Sequence, residues 1–242
     1  MTVPFPPAGH VEDSQKRVRV LFNKHFIVDS KKAKLVWEHQ HYPSYFFAAS
    51  EVPTKYLQQP AKSKPDTYDI VVDGKRAEGA AVVYTDGAFK GLVKLVFGKM
   101  DAWFEEDDQI FVHPKDPYKR VDVSQSSRHV RVEVDGVEVA NTTKPRLLFE
   151  TGLPVRTYIP KTDVRTDLLE PTDLTTACPY KGVANYYSVV LPSGERRENI
   201  VWWYRTPQLE CAEIRGFAAF YDEKVDVWVD GEKVQRPKSV FS

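Results

Sequence analysis

Cys178 and Lys181 stand three residues apart in the run Thr176-Ala177-Cys178-Pro179-Tyr180-Lys181-Gly182. A proline after Cys178 biases it to extended backbone. Pro179-Tyr180-Lys181-Gly182 reads as a turn that releases the chain into a strand. A turn presents its side chains, so this spacing brings a thiol and an ammonium near each other. A neighbouring ammonium favours the thiolate, which is the nucleophilic form. The same spacing also suits a buried cysteine acting as a small hydrophobe before a tight turn. Cys211, the other of two cysteines, has no such neighbours and reads as a buried one.

The remaining residue types limit the chemistry. His129 is the only histidine after the first half of the chain, so a Cys–His pair local to Cys178 has no other candidate. A base for Cys178 is therefore Lys181, a carboxylate such as Glu150 or Glu213, or a histidine from the first half. Structural zinc needs four Cys or His ligands and catalytic zinc usually three. Two cysteines with no Cys-x-x-Cys do not meet that count, and no metal or other cofactor is expected. His39 and His41 share a face if they lie on a strand, which is a weak metal signal and an ordinary pattern for solvent-facing positions.

Aromatic residues crowd the same region. Tyr180, Tyr186, Tyr187, Trp202, Trp203 and Tyr204 fall within 25 positions. On strands, Tyr186 and Tyr187 face opposite sides, as do Trp202 and Trp203. One of each pair enters a core and the other meets a second surface. Such a set suits a pocket for a flat or cationic molecule, and equally the packed core of a β unit. Arg156 and Arg165 flank Tyr158-Ile159-Pro160 and suit either an anionic ligand or the surface. The candidate set is thus Cys178 and Lys181 for chemistry, with Tyr158, Arg165, Thr176, Tyr180, Tyr186, Trp202 and Tyr204 for binding.

A duplication must position these groups. Residues 17–57 lie on residues 129–169 at a constant offset of 112 without a gap. Val18-Arg19-Val20 falls on Val130-Arg131-Val132, and Leu35-Val36-Trp37-Glu38 on Leu147-Leu148-Phe149-Glu150. Farther on, Asp101-Ala102-Trp103-Phe104 aligns with Asp226-Val227-Trp228-Val229, and Val93-Lys94 with Ile214-Arg215. The first copy has Lys64-Pro65-Asp66-Thr67-Tyr68-Asp69 in the region of the cysteine motif.

Short alternating apolar runs between turn signals predict antiparallel strands. Asp135-Gly136 is a strong hairpin signal because both turn positions accept positive φ, and Asn23-Lys24 is its weaker counterpart. Strands are predicted at 69–72, 80–84, 91–97, 183–191, 199–204, 212–221 and 225–229. One short helix per copy is predicted, at Asp163–Leu169 with Thr162 as N-cap and at Glu51–Leu57 after Ser50. The join is expected within Pro114–Ser127. The reading is mostly β: a flexible proline-rich tail over 1–15, a degenerate first repeat over 16–121, and a second repeat over 122–242.

The 242 residues carry 34 acidic and 34 basic side chains, so no bulk basic field exists to hold nucleic acid. No apolar run approaches a membrane span, and the start lacks the layout of a signal peptide. Two cysteines are too few for a disulfide framework. A soluble, cytoplasmic chain with reduced thiols is expected, its partner a small molecule; its oligomeric state is unreadable.

One ordered series of residues resembles a known family. It runs Tyr158-Ile159-Pro160, Asp163-Val164-Arg165, Leu168-Leu169, then Thr176-x-Cys178-Pro179-Tyr180-Lys181-Gly182-x-Ala184-x-Tyr186-Tyr187. Val201-Trp202-x-Tyr204-x-x-Pro207 and Ile214-x-Gly216-x-Ala218 follow, with Tyr221 behind. The series resembles the domain of unknown function 427 family, also labelled a nucleotidyltransferase. The first copy resembles the same domain in degenerate form, with Phe46-Phe47-Ala48 at the Tyr-x-Pro element. The resemblance implies tandem β-tent-like units, each two antiparallel sheets, as in type B methionine sulfoxide reductases and the thalidomide-binding domain of cereblon. Those relatives imply a cysteine redox site or an aromatic cage; fold kinship alone licenses neither. No Gly-rich phosphate loop or metal-binding carboxylate cluster supports nucleotidyl transfer.

Two functions follow as expectations. One is an enzyme that acts on a small molecule through Cys178, assisted by Lys181, in an aromatic-lined pocket, with the reaction type open. The alternative is a non-catalytic small-ligand-binding module.

Overall fold

A computed structural model describes residues 5–59 and 66–239. The chain divides into two compact units on either side of Tyr118 and Lys119. Each unit pairs a seven-stranded with a four-stranded antiparallel sheet, as the mostly β, two-unit reading requires.

The hairpin that opens each repeat shows why. Val18–Phe22 and Val130–Val134 bury every second side chain, so one face of each strand enters the core. Asn23 and Lys24 take φ of 45° and 68°, and Asp135 and Gly136 take 49° and 80°. Positive φ at both turn positions gives the twist that returns a strand onto its partner. The partners are His25–Ser30 and Val137–Thr142, with a register shift at the same place in both hairpins, after Val20 and after Val132.

The seven-stranded sheets share one strand order. In the second unit it runs Val121–Gln125, Arg146–Glu150, Arg156–Ile159, Ala218–Phe220, Arg196–Pro207, Gly182–Val190 and Leu169–Cys178. In the first it runs Val11–Asp13, Lys34–Val36, Ser44–Ala48, Leu92–Leu95, Lys75–Val83, Thr67–Val72 and Leu57–Gln58. One face of the second unit's large sheet packs on its four-stranded sheet through Val130, Val132, Ile159, Val189, Val201 and Phe220. The opposite face carries a separate buried cluster of Leu148, Tyr158, Tyr186, Trp202 and Tyr204, with Cys211 and Ile214.

Several expectations change. The helix expected at Asp163–Leu169 is two 3₁₀ turns, Lys161–Asp163 and Thr166–Leu168. Pro160, not Thr162, precedes the first, and neither turn has a side-chain cap. In the first unit, Ala49–Glu51 and Thr54–Tyr56 do the same. The strand expected at 212–221 is a 3₁₀ segment, Leu209–Ile214, followed by the short strand Ala218–Phe220. Cys211, at a kink in this segment with φ of −116°, and Ile214 are both buried. Val121–Gln125 lies inside the expected join and forms an edge strand, and Val11–Asp13 does so inside the expected tail.

Register also corrects the later repeat alignment. Val20 faces Trp103, and its equivalent Val132 faces Val227, so Phe104 rather than Trp103 matches Trp228. That single-residue slip exchanges faces. Trp103 is in the core, whereas Trp228 lies outside under Arg131, 4.1 Å away, and Lys233. Likewise Phe47 faces Val93 while Ile159 faces Ala218, so Val93 matches Ala218 rather than Ile214. No helix among the described residues is long and apolar enough to cross a membrane.

Candidate functional site

Cys178 ends the ten-residue strand Leu169–Cys178 and pairs with Gly182 across the loop Pro179-Tyr180-Lys181. Gly182 has φ of +101°, and a Cβ there would lie 3.0 Å from the Thr206 carbonyl oxygen. Glycine is therefore required both for the conformation and for the approach of the next strand. The Lys181 carbonyl accepts the Gln208 N–H at 3.1 Å, which ties the loop to the 3₁₀ segment Leu209–Ile214.

The thiol of Cys178 is half-buried, and Lys181 beside it turns inward to donate to the Glu150 carboxylate. Only 14% of the Lys181 side chain and 6% of Glu150 is exposed. Lys119 adds a second ammonium, 3.8 Å from the other Glu150 oxygen and 5.6 Å from the Tyr180 ring. Burial pulls the Lys181 ammonium down, but its interactions with Cys178 and Glu150 outweigh that and hold its pKa raised. Cys211 differs. It is fully buried, donates to the Tyr180 carbonyl at 3.5 Å, and burial pushes its thiol up to about 11.

The aromatic candidates gather behind this loop. Tyr158, Tyr180, Tyr186, Trp202 and Tyr204 are all buried. The Trp202 indole donates to the Tyr158 hydroxyl at 3.1 Å, and the Tyr158 and Tyr204 rings stand 6.5 Å apart. Burial raises both tyrosine pKa values, so these hydroxyls stay protonated. Thr176, exposed on the edge strand, shares a hydrogen bond of 2.8 Å with the Tyr186 hydroxyl, which in turn bonds Tyr221. Tyr221 packs on Trp202 with ring centroids 4.6 Å apart. A line of hydroxyls thus runs from the surface at Thr176 into the cluster.

The paired aromatics divide between faces as alternation requires. Tyr187 and Trp203 stack on the opposite face, where the Lys161 ammonium sits 3.3 Å from the Trp203 ring centroid and donates to the Tyr187 hydroxyl. Arg165 does not join the candidate set. It is exposed, pairs with Asp167, and its backbone N–H bonds Val139 in the four-stranded sheet. Arg156 does join, though as an ion-pair member. It donates to both Glu223 oxygens at 2.9 and 2.6 Å, reaches Asp222 at 3.4 Å, and lies 5.7 Å from the Trp202 ring. Sequence reasoning placed Tyr221 in the family-like series without a site role, missed Asp222 and Glu223, and named Glu150 only as one possible base. The offset that placed Glu150 on Glu38 was the available signal.

Cavities lie to one side of this cluster. One of about 390 Å³ opens on the opposite face of the sheet, and one of about 230 Å³ reaches Glu150. Neither is lined by Cys178 or Lys181. Among the described residues, no three His, Cys, Asp or Glu side chains gather so as to hold a metal ion.

Comparison with known proteins follows the duplication. No curated protein matches the chain. The family model described as Domain of unknown function (DUF427) matches residues 10–106 and again residues 122–231. The chain therefore belongs to the domain of unknown function 427 family and carries its domain twice.

Proposed function

We propose that the second unit is an enzyme acting on a small molecule through Cys178, assisted by Lys181. One observation carries this reading: a half-buried thiol ends a strand beside an ammonium held by Glu150, and the first unit contains no cysteine at all. In this reading the Cys178 sulfur is the reacting atom, with the reaction type open. Lys181 supplies the countercharge and then holds an anionic group of the substrate. Glu150 is a positioning residue that acts through Lys181. Tyr158 and Tyr204 interact electrostatically with Cys178, and Thr176, Tyr180, Tyr186 and Trp202 complete the proposed binding set. The protein would work in the cytoplasm, where thiols stay reduced, on a substrate that is neither nucleic acid nor membrane.

The test is the rate of iodoacetamide labelling of Cys178 against pH in the parent, Lys181→Met and Glu150→Gln. Labelling faster than a peptide thiol at neutral pH, slowed at least about tenfold in Lys181→Met, is the expected result. A Cys178 that titrates like a free thiol near ~8.5, unaffected by Lys181→Met, would reject the reading.

A second reading is a non-catalytic binding module, favoured by the tilted Tyr221 ring and the Arg156 guanidinium packed about Trp202. It predicts that ligand-induced changes in tryptophan fluorescence survive Cys178→Ala and vanish in Trp202→Phe. Loss of the signal in Cys178→Ala would count against it.

A further inference from the structure

The cavity of about 390 Å³ lies within the second unit, between its two sheets, on the face of the large sheet away from Cys178. Val130, Val227 and Val229 of the four-stranded sheet line one side, and Leu147, Phe149 and Thr157 of the large sheet the other. Phe149, Val155 and Val234 are 42%, 43% and 45% exposed around it. A volume of this size falls in the range of small-molecule sites.

The first unit explains why a space exists here. At the offset of 112, Phe149 corresponds to Trp37 and Thr157 to Tyr45. Both first-unit side chains are buried and hydrogen-bonded, Trp37 to Asp116 at 3.0 Å and Tyr45 to Glu105 at 3.0 Å. The strand pairing is the same, Leu35 facing Tyr45 and Leu147 facing Thr157. One scaffold therefore fills the position with an indole and a phenol in one unit. In the other it places a smaller ring and a hydroxyl there, beside open space.

The polar groups at the cavity include two guanidiniums. Arg128 and Arg236 line it, as does one acid, Asp222. Arg128 gives Nε to Asp230, and Arg236 gives Nε and Nη2 to Asp226, which leaves guanidinium N–H groups of both without a partner among the described residues. Asp222 is turned to Arg156 at 3.4 Å, which offsets its charge. The Thr157 hydroxyl and the Gln235 amide make no hydrogen bond to described residues and add neutral donors.

We propose that this cavity binds a small amphiphilic monoanion: an apolar body inserted between the sheets, and one carboxylate or similar head held by Arg128 and Arg236. A dry cavity of about 150 Å³ holds benzene, so this one accommodates a body of roughly ten to fifteen heavy atoms. An anionic head suits two arginines, because a guanidinium offers parallel donors to a carboxylate.

The test is calorimetric titration of the full chain with decanoate, with decyltrimethylammonium as the cationic control of matched chain. Decanoate is expected to bind at one saturable site with a sub-millimolar Kd, and the cation at least about tenfold more weakly. Thr157→Tyr, which restores the first unit's filling residue, is expected to weaken decanoate at least about tenfold. The double variant Arg128→Gln/Arg236→Gln is expected to abolish the preference for the anion. If Thr157→Tyr fails to fold, Phe149→Trp is titrated in its place. Absence of saturable decanoate binding overturns the proposal. So does equal binding of the cation, or unchanged binding in the filling variant.

Discussion

Glu38 and Glu150 occupy equivalent positions in the two units, yet each meets a lysine from a different element. Glu150 receives Lys181 from the loop before Gly182–Val190. Glu38 receives Lys94 from Leu92–Leu95, together with the Tyr84 hydroxyl at 3.2 Å. Lys94 stands where the second unit has Ala219, since Phe46 faces Lys94 and Tyr158 faces Ala219. The carboxylate belongs to the shared scaffold, and its countercharge has been moved to the loop that carries Cys178.

That relocation differs in depth, and depth sets energy. Glu150 is 6% exposed and Glu38 25% exposed. Removing one partner of a buried pair leaves an uncompensated charge and costs about 3–5 kcal/mol, against about 1 kcal/mol or less for a solvated pair. Glu150→Gln should therefore lower the urea midpoint clearly more than Glu38→Gln. Equal effects would show that Glu150 is as well solvated as Glu38.

The two thiols should separate cleanly. Burial holds Cys211 as a thiol up to about pH 11, and its sulfur has no exposed surface. In folded protein at pH 8, iodoacetamide should modify Cys178 and leave Cys211 intact until denaturant is added. Peptide mapping by mass reads both sites, and labelling of Cys211 in the native state would mean the loop opens.

Gly182→Ala should destabilise the second unit by roughly 1–3 kcal/mol, the cost of strained backbone, with a further loss from the contact at the Thr206 oxygen. Urea unfolding measures it. Gly136→Ala, at φ of +80° but with open space around its Cβ position, should cost less.

Asp222 predicts a pH dependence whose sign is fixed by its position. Burial, with Glu223 adding to it, raises its folded-state pKa from 3.8 to about 6. The folded state binds this proton more tightly, so the contribution favours folding below about pH 4 and is lost as pH rises to about 6. Glu223 runs the other way. Burial pushes it up, but Arg156 and Ser239 outweigh that and lower it, so its contribution is lost as pH falls. The difference between variant and parent isolates Asp222. Relative to the parent, Asp222→Asn should gain stability from pH 4 to pH 7, by up to roughly 3 kcal/mol. Chemical unfolding at the two pH values tests it, and a constant difference would contradict it.

Local chemistry explains which parts of the fold were legible. Asp135-Gly136 and Asn23-Lys24 announced their hairpins because few residues accept positive φ. Strand Leu169–Cys178 was hidden by Pro171 and by a run of polar residues, since an edge strand with mostly exposed side chains carries no apolar alternation. The segment from Ala212 to Ile214 misled for the opposite reason: it belongs to a 3₁₀ segment but runs on into an apolar stretch that reads as strand. Within the site, Tyr158, Trp202 and Tyr204 were recognisable as aromatic partners, whereas the Arg156–Glu223 pair depends on a contact 67 residues apart that no local pattern signals.

The strand that ends in Cys178 is also the outer margin of its sheet, and it is broken. Its register shifts between Pro171 and Thr175, and Pro179 follows directly after its last residue. Prolines and bulges on an edge deny an incoming chain a continuous ladder of donors and acceptors. On this margin the unbroken run next to Cys178 is only Thr175–Cys178. The interruption that concealed this strand also shortens the ladder of donors and acceptors that this margin offers.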